Sequence, residues 1–314
     1  MTAPPGQLWV GITDSEWFDQ LRATASRGPV DEVNFWRPSG LNFRALAEGG
    51  LFLFKLHAPR NVIAGGGFFT RAVRLPIHLA WQAFGALNGA NSEVELRRMI
   101  RKHSGEEIEQ PKTCIILSEP FFFADSDFIP VPGDFARNTQ SGKTYALASV
   151  TGRRLWAEVQ ERIARSTSPQ PGPAQINLAA SGYGDPRLVA PRLGQGGFRI
   201  GVLEAYRRCC AISGERTVPV LEAAHIRRFR DTSSHELNNG LLLRSDLHKL
   251  FDQGYVTVTP DERRVLVSRR IREEFENGRE YYALDGRPLT LPADPRAAPD
   301  MAALAYHAEH VFRG

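Results

Sequence analysis

Apolar and polar positions in the first 165 residues alternate in a pattern that predicts short strands mixed with amphipathic helices. The run GLFLFKL at 50–56 is short, largely apolar and rich in aromatic residues, and indicates a buried strand. Asp14 precedes a segment with apolar residues at helical spacing, so it predicts a helix N-cap. The same patterns predict strands at 8–13, 62–75 and 113–123, and helices at 75–85 and 92–104.

Three consecutive glycines, Gly65–Gly67, interrupt the strand predicted at 62–75. Glycine inside a strand indicates either a bulge or the close approach of another group, such as a ligand. Both interpretations remain open from the sequence.

A stretch rich in Ser, Pro and Gly at 166–186 predicts a linker between two domains, at 1–165 and 187–314. Beyond it the pattern changes to short elements in close succession. We expect a helix at 196–210, strands at 218–226 and 240–244, a helix at 245–254, a hairpin at 255–268, and a helix at 269–278 that Gly278 ends.

The composition is that of a globular protein, with 42% hydrophobic and 24% charged residues, and excludes a collagen-like or wholly disordered chain. No apolar run reaches the roughly 18 residues that a membrane helix needs, and the N-terminus lacks a secretory pattern. Three cysteines, two of them adjacent, do not form a disulfide framework. We therefore expect a cytoplasmic protein with no membrane partner.

Positive charge is concentrated in one stretch, which changes this picture. Residues 186–230 contain nine arginines and three glutamates, an excess larger than the net charge of +4 for the whole chain. Such a block is typical of a phosphate-binding surface. The alternative is an arginine-rich face that only solvent contacts.

The stretch 210–254 also carries the residues with the clearest chemistry. His225 ends one predicted strand, Asn239 precedes the next, and His248 lies on the helix that follows. Asp252 comes four residues after His248 and therefore lies on the same helical face. A strand–loop–strand–helix unit would bring these four polar side chains close together.

This segment resembles the HNH nuclease family, whose core is the ββα-metal fold. The matching residues are AAHI around His225, NNGLLL around Asn239 and LHKLFD around His248, within about 190–275. The resemblance implies metal-dependent hydrolysis of phosphodiesters, with His225 as general base and Asn239 bracing the loop. His248 and Asp252 would hold a divalent ion, Mg²⁺ or Mn²⁺.

The resemblance leaves several assignments open. Many family members have a metal-binding residue just before the general base, but here that position is Ala224, so only two protein ligands remain. Asn238 is an alternative to Asn239, and His235 is expected on the surface. Arg227 or Arg228 could clamp a flanking phosphate.

The N-terminal domain resembles the PUA-like superfamily, which includes the EVE, ASCH and SRA domains, in its order of strands and helices. That resemblance implies an α+β chain in which a bent β-barrel with helices precedes the ββα-metal nuclease domain. It also implies a pocket for a modified base. We expect the pocket residues to be Asn34, Phe35, Trp36 and Phe68, with a core position as the alternative for Trp36.

The joined architecture is similar to modification-dependent restriction endonucleases. It predicts a type IV-like enzyme of phage defence that cuts double-stranded DNA carrying a C5-modified cytosine. One HNH core cuts one strand, so we expect a homodimer. The alternatives are an HNH endonuclease specific for a sequence of unmodified DNA, and a non-cutting protein that binds DNA or RNA.

Overall fold

A computed structural model describes residues 6–37, 43–104, 109–166, 194–228 and 235–314. The chain divides into two compact units, residues 1–192 and 193–314. The linker predicted at 166–186 lies outside the described residues except for its first position, so it stays a prediction, as do the exact domain limits. In the described part of the chain, no helix is long and apolar enough to cross a membrane.

The described strands of the N-terminal unit form one mixed sheet. Their bounds are β1 Gln7–Thr13, β2 Glu32–Arg37, β3 Leu51–Leu56, β4 Val62–Leu75, β5 Lys112–Phe122, β6 Ile129–Pro130 and β7 Gly142–Ala146. The order is β2-β5-β4-β3-β1-β7, with β6 paired to β4. β1 runs parallel to β3, and the other pairs are antiparallel.

Apart from Lys55, strand β3 is apolar because both faces of the sheet are covered. Phe52 and Phe54 pack into one hydrophobic cluster, whereas Leu51 and Leu53 pack into another. The helices that flank the sheet are α1 Ser15–Ala25, α2 Ile77–Phe84, α3 Glu93–Ser104 and α4 Val150–Ser166. Helices α1, α2 and α3 contribute to the first cluster and α4 to the second, so helices cover both faces.

The glycines of β4 allow neighbouring strands to approach closely. A Cβ atom on Gly65 would lie 2.2 Å from the carbonyl oxygen of Phe121, and one on Gly66 would lie 2.6 Å from that of Phe52. The pairing register shifts between Gly66 and Phe68, which marks a bulge. Bulges bend a strand, so these glycines allow the sheet to curve.

The second unit is built from short elements around one hydrophobic cluster. Their bounds are α5 Gln195–Ala205, β8 Leu221–His225, β9 Gly240–Arg244, α6 Ser245–Asp252, β10 Val256–Val258, β11 Val265–Val267, α7 Arg270–Phe275, α8 Arg279–Tyr282 and α9 Met301–His310. Strands β8 and β9 form an antiparallel hairpin that leads directly into α6. The α+β class with a ββα unit is therefore confirmed.

Two predicted helix ends are wrong for the same physical reason. The helix expected at 196–210 ends at Ala205, since Arg207 and Arg208 have φ values of 51° and 57°. The helix expected to end at Gly278 ends at Phe275, because Glu276 takes the left-handed conformation with φ 56°. Side chains other than glycine adopt this conformation uncommonly, and the sequence pattern does not reveal where they do.

Helix α9 is anchored to the rest of the second unit through His307, which is buried. Its Nε2–H donates to the carbonyl oxygen of Phe251 at 3.1 Å, and its Nδ1 accepts from the Thr257 hydroxyl at 2.8 Å. The imidazole also stacks on the Phe251 ring at 3.7 Å. Burial lowers the pKa of His307 to about 4, so the ring that fastens α9 is neutral near pH 7.

Candidate active site

The hairpin β8–β9 places His225 opposite Gly240. A Cβ on Gly240 would lie 2.5 Å from Val202 and 2.9 Å from Phe198, so glycine makes room for α5 to pack against this end of the hairpin. The Phe198 ring stacks on the His225 imidazole at 3.9 Å with an interplanar angle of 11°. The stacking partner fixes the orientation of the ring at the end of its strand.

His225 is half-buried, and burial is the main reason that its pKa falls to about 4. The nearby His235 and His248 lower it further through charge repulsion. Nε2 of His225 lies 3.0 Å from Nδ1 of His235. His235, expected on the surface, therefore belongs to the site.

Asn239 is buried and forms both of its amide hydrogen bonds with the backbone of one residue. Its Oδ1 accepts from the N–H of Arg227, and its Nδ2 donates to the carbonyl oxygen of Arg227, both at 2.9 Å. Its own carbonyl oxygen accepts from the N–H of Ile226, also at 2.9 Å. Asn239 thus ties β9 to the chain that leaves His225, whereas no described contact gives Asn238 such a role.

His248 lies between two carboxylates. Its Nδ1 is 2.7 Å from Oε2 of Glu222, and its Nε2 is 3.4 Å from Oδ2 of Asp252. A carboxylate at 2.7 Å accepts a hydrogen bond, so Nδ1 carries a hydrogen, and in the neutral ring Nε2 then has the lone pair. The nitrogen able to bind a cation is therefore the one that faces Asp252.

Glu222 is a candidate site residue that the sequence did not reveal. It lies three positions before His225, whereas the family pattern places an extra ligand at position 224. Ala224 is fully buried in the core of the unit and cannot hold a ligand. The available signal was weak, since Glu222 is simply the other polar residue of a strand with the sequence LEAAH.

The donor set fits an ion that keeps most of its water. In the described part of the chain, no group of three or more His, Cys, Asp or Glu side chains could hold a metal ion. His248 Nε2 and the Asp252 carboxylate supply one nitrogen and one oxygen donor side by side. Mg²⁺ or Mn²⁺, which bind through few protein groups and several waters, suit such a pair.

A groove of about 490 Å³ opens beside these residues. It is lined by His225, Arg227, Arg228 and Asp252, and by residues of α9 and the chain after it. The guanidinium of Arg227 lies 4.3 Å from the centre of the Tyr306 ring, and Nη2 of Arg228 donates to the Asp252 carbonyl oxygen at 3.2 Å. Both predicted phosphate-binding arginines thus border the groove.

The N-terminal unit contains a separate cavity of about 150 Å³. Trp17, Phe35, Trp36 and His57 are among its lining residues. Two predicted members of the base pocket, Asn34 and Phe68, are not. Asn34 is fully buried and donates through Nδ2 to Oδ1 of Asn88, at 2.8 Å.

Phe68 does not line the cavity because of its position in the sheet. Phe68 packs into the hydrophobic cluster that α4 covers, whereas Phe35 and Trp36 belong to the cluster on the other side. Side chains on opposite faces of a sheet do not share a cavity. The sequence marked the aromatic residues but not the face on which each lies.

Polar groups at this cavity come from distant parts of the chain. Nε2 of His103 lies 3.1 Å from Oδ2 of Asp14. Burial raises the pKa of Asp14, but hydrogen bonds from His103 and from the backbone N–H groups of α1 outweigh it and leave the pKa lowered. Burial lowers the pKa of His57. The cavity therefore combines aromatic walls with a carboxylate and two imidazoles.

In the second unit, the hairpin followed by a helix, with His225, Asn239 and the His248–Asp252 pair at one end, defines a nuclease of the ββα-metal class. Residues 210–259 match the family model of HNH endonucleases. That segment is therefore an HNH endonuclease domain, and the chain is a nuclease.

Two solved structures show weaker similarity. A mutant ASCH protein from Zymomonas mobilis is 11% identical, with a TM-score of 0.33, and the match covers 47% of this chain and 96% of that one. The modification-dependent TagI restriction endonuclease is 13% identical, with a TM-score of 0.26, over 90% of this chain and 75% of that one. Among curated proteins, none matches this chain.

Proposed function

We propose that this chain is a metal-dependent restriction endonuclease directed to DNA that carries a modified base, with C5-modified cytosine as the base it recognises. The observation that carries the proposal is the polar end of the ββα unit. There, His225 and Asp252 border one groove, His248 contacts the Asp252 carboxylate, and Asn239 ties β9 to the chain that follows His225.

His225 acts as the general base. Stacking on Phe198 and burial keep its imidazole neutral near pH 7, and a neutral imidazole accepts a proton from water. The contact between its Nε2 and Nδ1 of His235, at 3.0 Å, holds the orientation of the ring. His235 is thus a positioning residue for the base.

His248 and Asp252 hold the divalent ion, Mg²⁺ or Mn²⁺. When bound, such an ion neutralises charge on the reacting phosphate and on the leaving oxygen. Glu222 accepts a hydrogen bond from Nδ1–H of His248 and thereby leaves the lone pair of Nε2 available to bind the ion. Arg227 and Arg228, on the wall of the same groove, bind flanking phosphates.

The cavity of the N-terminal unit is the proposed pocket for a base turned out of the duplex. A flipped base requires aromatic walls for stacking and a few polar groups for its edge. Phe35 and Trp36 provide such walls, and Asp14, His57 and His103 provide polar atoms. Because one HNH site cuts one strand, a homodimer would make a double-strand break and serve phage defence.

The experiment is cleavage of four matched duplexes by the full chain with Mg²⁺ or Mn²⁺. They carry cytosine, 5-methylcytosine, 5-hydroxymethylcytosine or glucosylated hydroxymethylcytosine. We expect cleavage only of modified DNA, and a double-strand product whose rate rises with the square of protein concentration where the dimer is sparse. Equal cleavage of plain DNA would overturn the modified-base proposal, and binding without any cleavage would overturn the endonuclease.

A further inference from the structure

The groove beside His225 has a wall that lies outside the segment matching HNH endonucleases. That segment ends at residue 259, whereas Tyr306, His310 and Arg313 line the groove from α9 and the turn after it. Neither the sequence pattern nor the family match assigns these three side chains a role.

We propose that Tyr306, His310 and Arg313, together with Arg227, form a binding site for a DNA backbone phosphate next to the cleaved bond. The inference rests on the proposed endonuclease function and adds a contact surface to it.

The first part of the argument is a stack of three side chains. The guanidinium of Arg227 lies 4.3 Å from the centre of the Tyr306 ring, and the His310 ring stacks on Tyr306 at 4.5 Å with an angle of 14°. A guanidinium that stacks on an aromatic face keeps the N–H groups of its own plane available for a bidentate acceptor such as phosphate. Nε of Arg227 is buried and has no hydrogen-bond partner among the described residues, so a ligand acceptor would complete it.

The second part is the anchoring of Arg313. Its backbone N–H donates to the carbonyl oxygen of Gly254 at 2.9 Å, and Nη1 donates to the Tyr255 hydroxyl at 3.3 Å. The chains approach so closely that a Cβ on Gly254, which has φ 78°, would lie 2.0 Å from the Val311 carbonyl oxygen. Since Gly254 follows Asp252 by two residues, the wall is fixed relative to the end of the metal-binding helix.

The third part is charge. The lining of the groove contains three arginines, at 227, 228 and 313, and one carboxylate, that of Asp252. Asp252 is the residue that would face a divalent cation, which leaves the arginine side of the groove positive. An anion is the chemistry that fits this wall, and DNA presents a phosphate on each side of the cleaved one.

The test is binding of a short labelled duplex, the one that the wild type cleaves best, measured by fluorescence anisotropy in EDTA at several salt concentrations. Arg313→Ala should weaken binding and lower the slope of log affinity against log salt by about one, as expected for one lost phosphate contact. Tyr306→Ala should weaken binding about threefold or more through loss of the stack, whereas Tyr306→Phe should bind like the wild type.

The matched control is Arg296→Ala, since Arg296 has a side chain 90% exposed and lies outside the groove. Its salt slope should stay close to the wild-type value. If Arg313→Ala and Tyr306→Ala also match the wild type while thermal unfolding shows them folded, the wall does not bind DNA. If the wild type itself neither binds nor cuts any duplex, the proposed function fails instead.

Discussion

The active site and the aromatic cavity of the N-terminal unit are assembled in opposite ways. Glu222, His225, Asn239, His248 and Asp252 come from one stretch of about thirty residues, folded into a hairpin and a helix. The cavity draws its lining from positions between 12 and 141, brought together by the sheet. A substitution in the local site should alter one catalytic contact and leave the others in place. A substitution in the cavity should also alter the packing of the whole N-terminal unit.

The two regions also differ in what they offer a ligand. The nuclease groove is open and bordered by arginines, imidazoles and one carboxylate, which suits a charged backbone. The cavity is smaller and has aromatic walls with Trp36 only 8% exposed. If both proposals hold, variants in one region should change the rate of hydrolysis and variants in the other should change the choice of DNA.

The largest expected effect would separate hydrolysis from binding. His225→Ala should lower the cleavage rate by about 10³-fold or more, because no other group replaces the general base. Affinity for the modified duplex in EDTA should stay within about twofold, since the aromatic cavity is unchanged. His78→Ala removes an exposed imidazole from α2 and should cut normally. Retained cleavage in His225→Ala would remove His225 from the mechanism.

The second prediction contrasts the acid response of the two units. His307 has a folded pKa of about 4 and an ordinary unfolded pKa near 6.5, so the unfolded state binds the proton more tightly. The contribution of His307 to the free energy of unfolding is therefore fully present above pH 6.5. It is lost as the pH falls towards 4, by up to about 3 kcal/mol. His225 adds to the loss in the same direction.

Calorimetry combined with tryptophan fluorescence can assign the loss of stability to one unit. All five tryptophans lie between residues 9 and 156, in the N-terminal unit. The transition that moves more with pH should be the one that leaves tryptophan emission unchanged, although the lowered pKa values of His57 and Asp14 give the N-terminal unit a response in the same direction. His307→Gln removes the titrating group and should flatten the pH dependence. A wild-type transition that does not move between pH 7 and 4.5 would contradict the prediction.

The third prediction concerns Glu222 and the cation. Glu222→Leu leaves Nδ1 of His248 without its acceptor and should weaken Mn²⁺ binding to the free protein about 10- to 100-fold. Glu222→Gln keeps an acceptor and should lose less. Titration with Mn²⁺ by calorimetry or electron paramagnetic resonance measures both. Equal and large losses would instead mean that the carboxylate charge itself holds the ion.

The smallest expected effect concerns the cavity. Trp36→Ala should reduce the preference for modified over plain DNA by about tenfold, the value of one stacking contact. Cleavage of plain DNA should not increase by the same factor, since the nuclease site is unchanged. Trp81→Ala removes a half-buried tryptophan outside the cavity and serves as the control. Unchanged preference in Trp36→Ala would exclude this wall from base recognition.

The fold and the site were predictable to different depths. The hairpin, α6 and the polar residues of the nuclease site follow from patterns within thirty residues, so the sequence reveals them directly. The sequence did not reveal the role of Glu222, because its contact with His248 joins two separate elements, β8 and α6. Asn34 and Phe68 were placed in the wrong surroundings because the face that each residue occupies depends on strand pairing, which single-strand patterns do not specify.

The same limit applies to helix ends and to the C-terminal elements. Left-handed backbone at Arg207, Arg208 and Glu276 ends helices where apolar spacing would continue them. The packing of α9 depends on His307 meeting Phe251 and Thr257, a contact between segments about fifty residues apart.

The pairing of β1 with β7 has a consequence for folding. Gln7 lies beside Ala146 and Gly11 beside Gly142, so the first strand of the N-terminal unit is completed by its last. Contacts this distant along the chain require a costly loop closure before they contribute energy, and they slow folding. The strands of the nuclease unit pair with near neighbours in sequence. This unit should therefore fold faster than the N-terminal unit that is proposed to select the DNA.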